Sequence, residues 1–113
     1  MNSRYVVEKD WTTACGHRAV VVYIGAVGYR CGYVLVPADH ELCGVQHHRM
    51  SICAHGGLTY GKQSEDYPVD TKGEYWIGFD CAHWGDKTNM LPGVERTLEF
   101  CVKQCESISI QLS

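Results

Sequence analysis

The sequence predicts an α+β fold: an antiparallel sheet of about five strands with a C-terminal amphipathic helix packed on one face. Three observations carry it. Arg18 to Ile24 and Tyr29 to Val36 are β-branched and aromatic runs on either side of Gly25-Ala-Val-Gly28, which is a hairpin signal. Tyr75, Ile77, Phe79 and Cys81 recur every second residue and define one strand face. From Pro92 onward, Val94, Leu98, Cys101, Val102, Cys105, Ile108 and Leu112 follow the spacing of one helical stripe.

Taken in order, the segment up to Gly16 is of mixed polarity, with Trp11 as its large apolar anchor, and Thr12-Thr13 suit either a strand or a turn. Arg18 to Ile24 is apolar on both faces, so it belongs in the middle of the sheet or under cover. Pro37 ends the returning strand because it has no N–H for the ladder. Ala38 to Arg49 is a polar connection, with His47 and His48 solvated. Ser51 to His55 is predicted as a short strand with Ile52 and Ala54 on one face, broken by Gly56-Gly57. Leu58-Thr59-Tyr60 resumes an extended course to Gly61, and Lys62 to Lys72 is predicted as an exposed loop. Glu74 to Cys81 is the next strand. On its second face, Gly78 leaves an open slot between Trp76 and Asp80, and glycine inside a strand often marks where a ligand approaches. Pro92 suits the first turn of the closing helix, with Arg96, Glu99 and Lys103 paired along its wet face.

The bulk properties narrow the function classes. A chain of 113 residues is a single domain, 1–113, able to bury roughly 65% of its unfolded surface. With a formal charge of −3 it is not expected to bind long nucleic acid, although backbone N–H groups can still hold a small anion. Met1 to Asp10 carries no export signal and the longest apolar run, Ala19 to Ala26, is too short for a membrane span, so a soluble cytoplasmic protein is expected. The seven cysteines are odd in number and contain no CxxC pair, which suits free thiols packed as small hydrophobes. Cys101 and Cys105 have helical i, i+4 spacing, but without a second ligand pair core packing is the better account than a metal.

Two glycine-flanked clusters carry the chemistry: His55-Gly56-Gly57-Leu58-Thr59-Tyr60 and Asp80-Cys81-Ala82-His83-Trp84-Gly85-Asp86. Each lies at a strand end, where rigid backbone fixes side chains and loops supply donors. Three chemistries fit. Acid–base phosphoester hydrolysis would use His55 and His83 as base and acid, with Asp80 and Asp86 orienting the rings. Gly56, Gly57 and Thr59 would meet phosphate oxygens, and Tyr60, Trp76 and Gly78 would hold a base or ribose, with His40 reaching the same rim. A divalent metal on His55, His83, Asp80 and Asp86 suits the residue types, but no spacing matches a metal motif, so no cofactor is expected. Cys81 as a nucleophile requires an exposed thiol, yet alternation turns it toward the core with Phe79. Each group also has a plain structural role available: aspartates beside glycine cap turns, and histidines at strand ends hold backbone together.

These residues resemble a family of small phage and prophage proteins. The resemblance rests on Cys31-Gly-Tyr-Val with Pro37 and His40, on His55-Gly-Gly-Leu-Thr-Tyr60, and on Gly78-Phe-Asp-Cys-Ala-His83 with Gly85-Asp86. It covers most of the chain after about residue 18, and the last two motifs are its specific part. The family pattern has a proline after His40 and an aromatic before Gly44; this chain has Glu41 and Cys43. The resemblance implies a phage setting, hence the host cytoplasm, and by analogy an anti-defence role against a nucleotide immune signal. Hydrolysis of such a messenger is the first expectation. A non-catalytic sponge holding a cyclic nucleotide or ADP-ribose-type ligand is the alternative, and a phage protein-interaction or structural module is the third. A short chain that encloses a small nucleotide-like ligand is also expected to be a homo-oligomer, with the pocket shared across a symmetric interface.

Overall fold

The computed structural model describes residues 5–113; the first four, part of the stretch read above as lacking an export signal, lie outside it. Five strands form one antiparallel sheet: β1 (Tyr5–Thr12), β2 (Arg18–Ile24), β3 (Tyr29–Val36), β4 (Tyr60–Gln63) and β5 (Tyr75–Asp80), in the order β1-β2-β3-β5-β4. A 15-residue helix, α1 (Leu98–Leu112), closes the chain and packs on β3 and β2. The fold is therefore α+β with the expected sheet and covering helix. No helix among the described residues is long and apolar enough to cross a membrane.

Side-chain alternation divides the core into two layers. Ala19 and Val21 of β2, Val34 and Val36 of β3, and Tyr75, Ile77 and Phe79 of β5 face Cys101, Cys105, Ile108 and Leu112 of the helix. Gly32 is what lets the helix settle there: a Cβ at this position would lie 2.5 Å from the Phe79 ring and 2.9 Å from the Cys105 sulfur. On the opposite face Val20, Val22, Cys31, Tyr33 and Trp76 form a second buried cluster with Tyr67 and Val69 packed against it. Both faces of the central strands are thus dry, as the unbroken Ala-Val-Val-Val run of β2 requires.

Four expectations are corrected. Ser51 to His55 is not a strand. Its backbone partners are helix side chains: Gln111 Oε1 accepts from the Cys53 N–H at 2.7 Å, Gln111 Nε2 donates to the Cys53 carbonyl at 2.8 Å, and Gln104 Oε1 accepts from the His55 N–H at 3.0 Å. The fifth strand is β1, which pairs with β2 through a register shift between Val7 and Lys9. Residues 62–72 are not simply exposed, since Ser64, Pro68 and Thr71 are buried where this segment covers the second face. The helix starts at Leu98 rather than near Pro92, with the Thr97 hydroxyl accepting from the Phe100 N–H at 3.1 Å as its N-cap.

The cysteines follow this layering. Cys31, Cys81, Cys101 and Cys105 are buried, Cys43 is half-buried, and Cys15 and Cys53 are exposed, so packing accounts for four of the seven. Burial pushes the Cys31 and Cys105 thiols up to about 12. Native-state alkylation at pH 8 should therefore modify Cys15 and Cys53 rapidly and the four buried thiols only after denaturation; counting adducts by intact mass checks this.

Candidate functional site

The two motif clusters meet at the end of the sheet where β5 finishes. Segment 55–60 is tied to β5 by the Thr59 N–H, which donates to the Gly78 carbonyl at 2.9 Å. Beyond the end of β5, the chain turns back through His83 to Asp86, with the Asp86 N–H donating to the His83 carbonyl at 2.9 Å. Gly56 makes the approach possible. Its φ of +69° is left-handed, and a Cβ there would sit 2.1 Å from the His83 ring.

Asp86 is the hub. Its side chain is 0% exposed, and three donors converge on it: His55 Nε2 at 2.8 Å, Arg96 Nε at 2.7 Å and the His83 N–H at 3.0 Å. Burial raises its pKa, but the bonds from Arg96, His55 and the His83 N–H outweigh that and hold the carboxyl below its ordinary range. Asp86 is therefore ionised at neutral pH and can only accept. That fixes the His55 tautomer, with the proton on Nε2 and the lone pair on Nδ1. No protein group among the described residues bonds that Nδ1. The His55 ring stands edge-on to Phe100 at 5.1 Å and to His83 at 5.7 Å.

Asp80 makes a second, more open node. Its carboxylate accepts from the Thr59 hydroxyl at 2.8 Å and the Ala82 N–H at 3.1 Å, which closes a turn just past the strand. His83 Nε2 lies 3.3 Å from Asp80 Oδ1, but it has no well-aligned hydrogen bond although the atom is shielded from solvent. That nitrogen is buried and, among the described residues, unpaired. Among the described residues, no three His, Cys, Asp or Glu side chains gather as a metal-binding group.

The structure thus brings together His55, Gly56, Thr59, Asp80, His83 and Asp86, and it separates the rest of the expected site. Trp76 is not a stacking platform: it is 0% exposed on the second face, and its indole N–H donates to Thr71 Oγ1 at 2.8 Å. The slot at Gly78 is filled by Tyr33, whose Cδ1 lies 2.4 Å from where a Cβ would be. Tyr60 packs edge-on against Tyr33 at 5.0 Å, on that same second face. Gly57 spends its N–H on the Ala54 carbonyl at 2.8 Å, so this amide is not free for a phosphate. His40 belongs to another end of the molecule. Its Nδ1 accepts from the Leu42 N–H at 2.9 Å, which leaves Nε2–H to donate to the Leu112 carbonyl at 2.7 Å and cap the helix. Cys81 is buried, and the Cys101 thiol beside it at 3.6 Å together with burial raises its pKa, so it is no nucleophile.

Arg96 is the site residue that sequence reasoning missed. Helical spacing pairs it with Glu99, but it lies before the helix begins. It reaches back to Asp86, with its guanidinium 5.1 Å over the Phe100 ring. Its only sequence signal was an arginine just ahead of the N-cap Thr97.

No family model, curated protein or solved structure matches the chain.

Proposed function

We propose that the protein is a small phosphoester hydrolase acting on a nucleotide-class ligand, with His55 as general base and His83 as general acid. The observation that carries the reading is the His55–Asp86 pair: an ionised, fully buried carboxylate held on one ring nitrogen, leaving the other nitrogen without a protein partner among the described residues. A carboxylate in that position orients the imidazole and stabilises the imidazolium formed when the ring takes a proton. In the proposed reaction, Nδ1 of His55 takes the proton of a water or a ribose 2′-hydroxyl as it attacks phosphorus. His83, 5.7 Å from His55 centroid to centroid, protonates the departing oxygen from its other side. Asp80, itself held by the Thr59 hydroxyl, lies 3.3 Å from His83 Nε2, and Arg96 holds Asp86 in place behind His55. The setting that accompanies this proposal is the one the motifs suggest: a phage-type protein, active in the host cytoplasm as a homo-oligomer, directed at an immune second messenger.

Incubation with a panel of cyclic and linear nucleotides, with products resolved by chromatography, tests it. Cleavage by the native protein and its loss in His55→Ala are expected. Ligand recovered intact after long incubation overturns hydrolysis, and heat release of unchanged nucleotide from a preformed complex points to sequestration instead.

One observation favours a protein-interaction module as the second reading. The loop held by Asp86 and Arg96 presents Trp84, which is 100% exposed, together with exposed Met90, Leu91 and Val94. A shallow recess lies between Trp84, Leu91 and Pro92. Exposed aromatic and aliphatic groups on a well-anchored loop are what a partner's hot spot would use. Failure of every nucleotide to raise the melting temperature shifts the function there, since a ligand at a hundred times its Kd adds about 2.7 kcal/mol.

A further inference from the structure

A polar cavity of about 90 Å3 is lined by residues of the β2–β3 hairpin and of segment 87–96, Arg96 among them. One water needs only about 10–15 Å3 of such space, so the cavity has room for a tetrahedral oxyanion. Three cations line it, Arg30, Lys87 and Arg96, against a single carboxylate, Glu95.

The donors there are only partly used. Arg30 is the most committed: Glu8 accepts from its Nε at 2.6 Å and its Nη2 at 3.3 Å, and the Arg96 carbonyl accepts from its Nη1 at 3.2 Å, which fixes it at the cavity wall. Arg96 commits Nε to Asp86, while its two terminal nitrogens have no hydrogen-bond partner among the described residues. The Thr88 oxygen accepts from the Met90 and Leu91 N–H groups at 3.1 and 3.2 Å, so its hydroxyl proton is left to donate elsewhere. The Tyr29 hydroxyl also has no protein partner among the described residues. Burial keeps it protonated, hence a donor. Glu95 answers the cations poorly: its carboxylate lies 3.5 Å from Arg30 and 3.8 Å from Lys87, well outside the range of about 2.7–2.9 Å for a well-made ion pair. Lys87 and Glu95 are 59% and 57% exposed, so their pairing contributes little and is easily exchanged.

We propose that this cavity is a binding site for a phosphate-sized oxyanion, with Glu95 as a tethered competitor that an incoming anion displaces. Arg96 offers its two unpaired terminal nitrogens to phosphate oxygens. Arg30, held by Glu8 through Nε and Nη2, adds fixed positive charge at the wall, and Lys87 closes the mouth as an exposed point charge. Arg96 joins this site to the His55–Asp86 pair. Under the hydrolase reading, the anion is a second, non-reacting phosphate of the ligand. The binding claim itself does not depend on that reading.

The test is titration with inorganic phosphate, followed by calorimetry and thermal shift, against chloride at matched ionic strength. A saturable phosphate effect is expected in the native protein. Lys87→Ala should weaken it about fivefold and Glu95→Gln should tighten it about fivefold, the effect of removing one exposed charge about 4 Å away. Lys62→Ala, on the β4 edge, should leave it unchanged. Both informative substitutions are at exposed side chains and should not impair folding. A phosphate response no larger than that to chloride overturns the site, as does equal affinity in native, Lys87→Ala and Glu95→Gln proteins. Phosphate binding without nucleotide cleavage leaves the site standing and removes the hydrolase. Cleavage without phosphate binding does the reverse.

Discussion

Asp86→Asn should lower the stability of the protein by about 3 kcal/mol at pH 7, which for a domain of this size moves the thermal midpoint by on the order of 10 °C. The substitution preserves shape and removes acceptors. The carboxylate receives His55 Nε2–H, Arg96 Nε–H and the His83 N–H on its two oxygens. An asparagine offers one oxygen and puts an NH2 where the other was, facing at least one of those donors. The cost is the unmatched donor and the charge left on Arg96, whose side chain is only 26% exposed. The sign of the pH dependence follows. The folded-state pKa of Asp86 lies below its ordinary value of 3.8, so its contribution is complete above that value and is lost as pH falls through the folded pKa. The gap between native protein and Asp86→Asn, measured by thermal unfolding, should therefore be flat through neutrality and close in the acid limb below about pH 4. Adding Arg96→Met should give a combined loss smaller than the sum of the two, since both remove one interaction. A midpoint for Asp86→Asn within a degree or two of native at pH 7 would show that the hub holds nothing together.

The fold was legible where alternation is strict and both faces are apolar. Val20 to Val22 cannot be wet on either side, and Tyr75 to Phe79 alternates without a break. It was illegible where pairing and burial part company. Ile52 and Ala54 do pack against the helix-side core, as their period suggested, but the chain beside them bonds Gln104 and Gln111 instead of a neighbouring strand. Period reports burial; it does not report which backbone supplies the partner. β1 failed in the opposite way. It is an edge strand with mostly exposed or half-exposed residues, and its bulge at Val7/Lys9 shifts the two-residue period midway, so no window looks amphipathic. The helix start was misplaced because Val94 continues the stripe by spacing, while in the fold its N–H donates to the Gly85 carbonyl at 2.8 Å.

The candidate site divides along similar lines. Its ionisable members were legible because glycine-flanked strand ends are where rigid backbone and polar side chains coincide, and the two segments do meet. Arg96 was not, because its partner is ten residues away through a loop that local spacing does not describe. The binding face was misread for a different reason. Alternation correctly put Trp76, Gly78 and Asp80 opposite the helix, but a polar segment, 62–72, turns out to cover that face with Tyr67 and Val69 while its charges stay outside. A cover that carries few apolar residues looks like solvent in the sequence.

Gly78→Ala discriminates between the open slot and the filled one. Were the slot open, a methyl group would leave folding untouched and affect only a ligand. In the structure, the Cβ would lie 2.4 Å from Tyr33 Cδ1 and 2.5 Å from the Gly32 carbonyl oxygen, both on β3, the strand paired with β5. A ring can rotate or slide; a carbonyl in a central ladder cannot move without breaking register. The expected result is a loss of about 3 kcal/mol, at the upper end of overpacking effects because backbone is one of the contacts. Chemical denaturation measures it. Tyr33→Ala in the same background should recover only part of that loss beyond its own cost, because removing the ring leaves the Gly32 oxygen in place. Full recovery would mean that the ring alone sets the limit. A native-like Gly78→Ala would show that β3 can yield at Tyr33 and Gly32 without loss, and that the close contact at Gly78 does not limit the sheet.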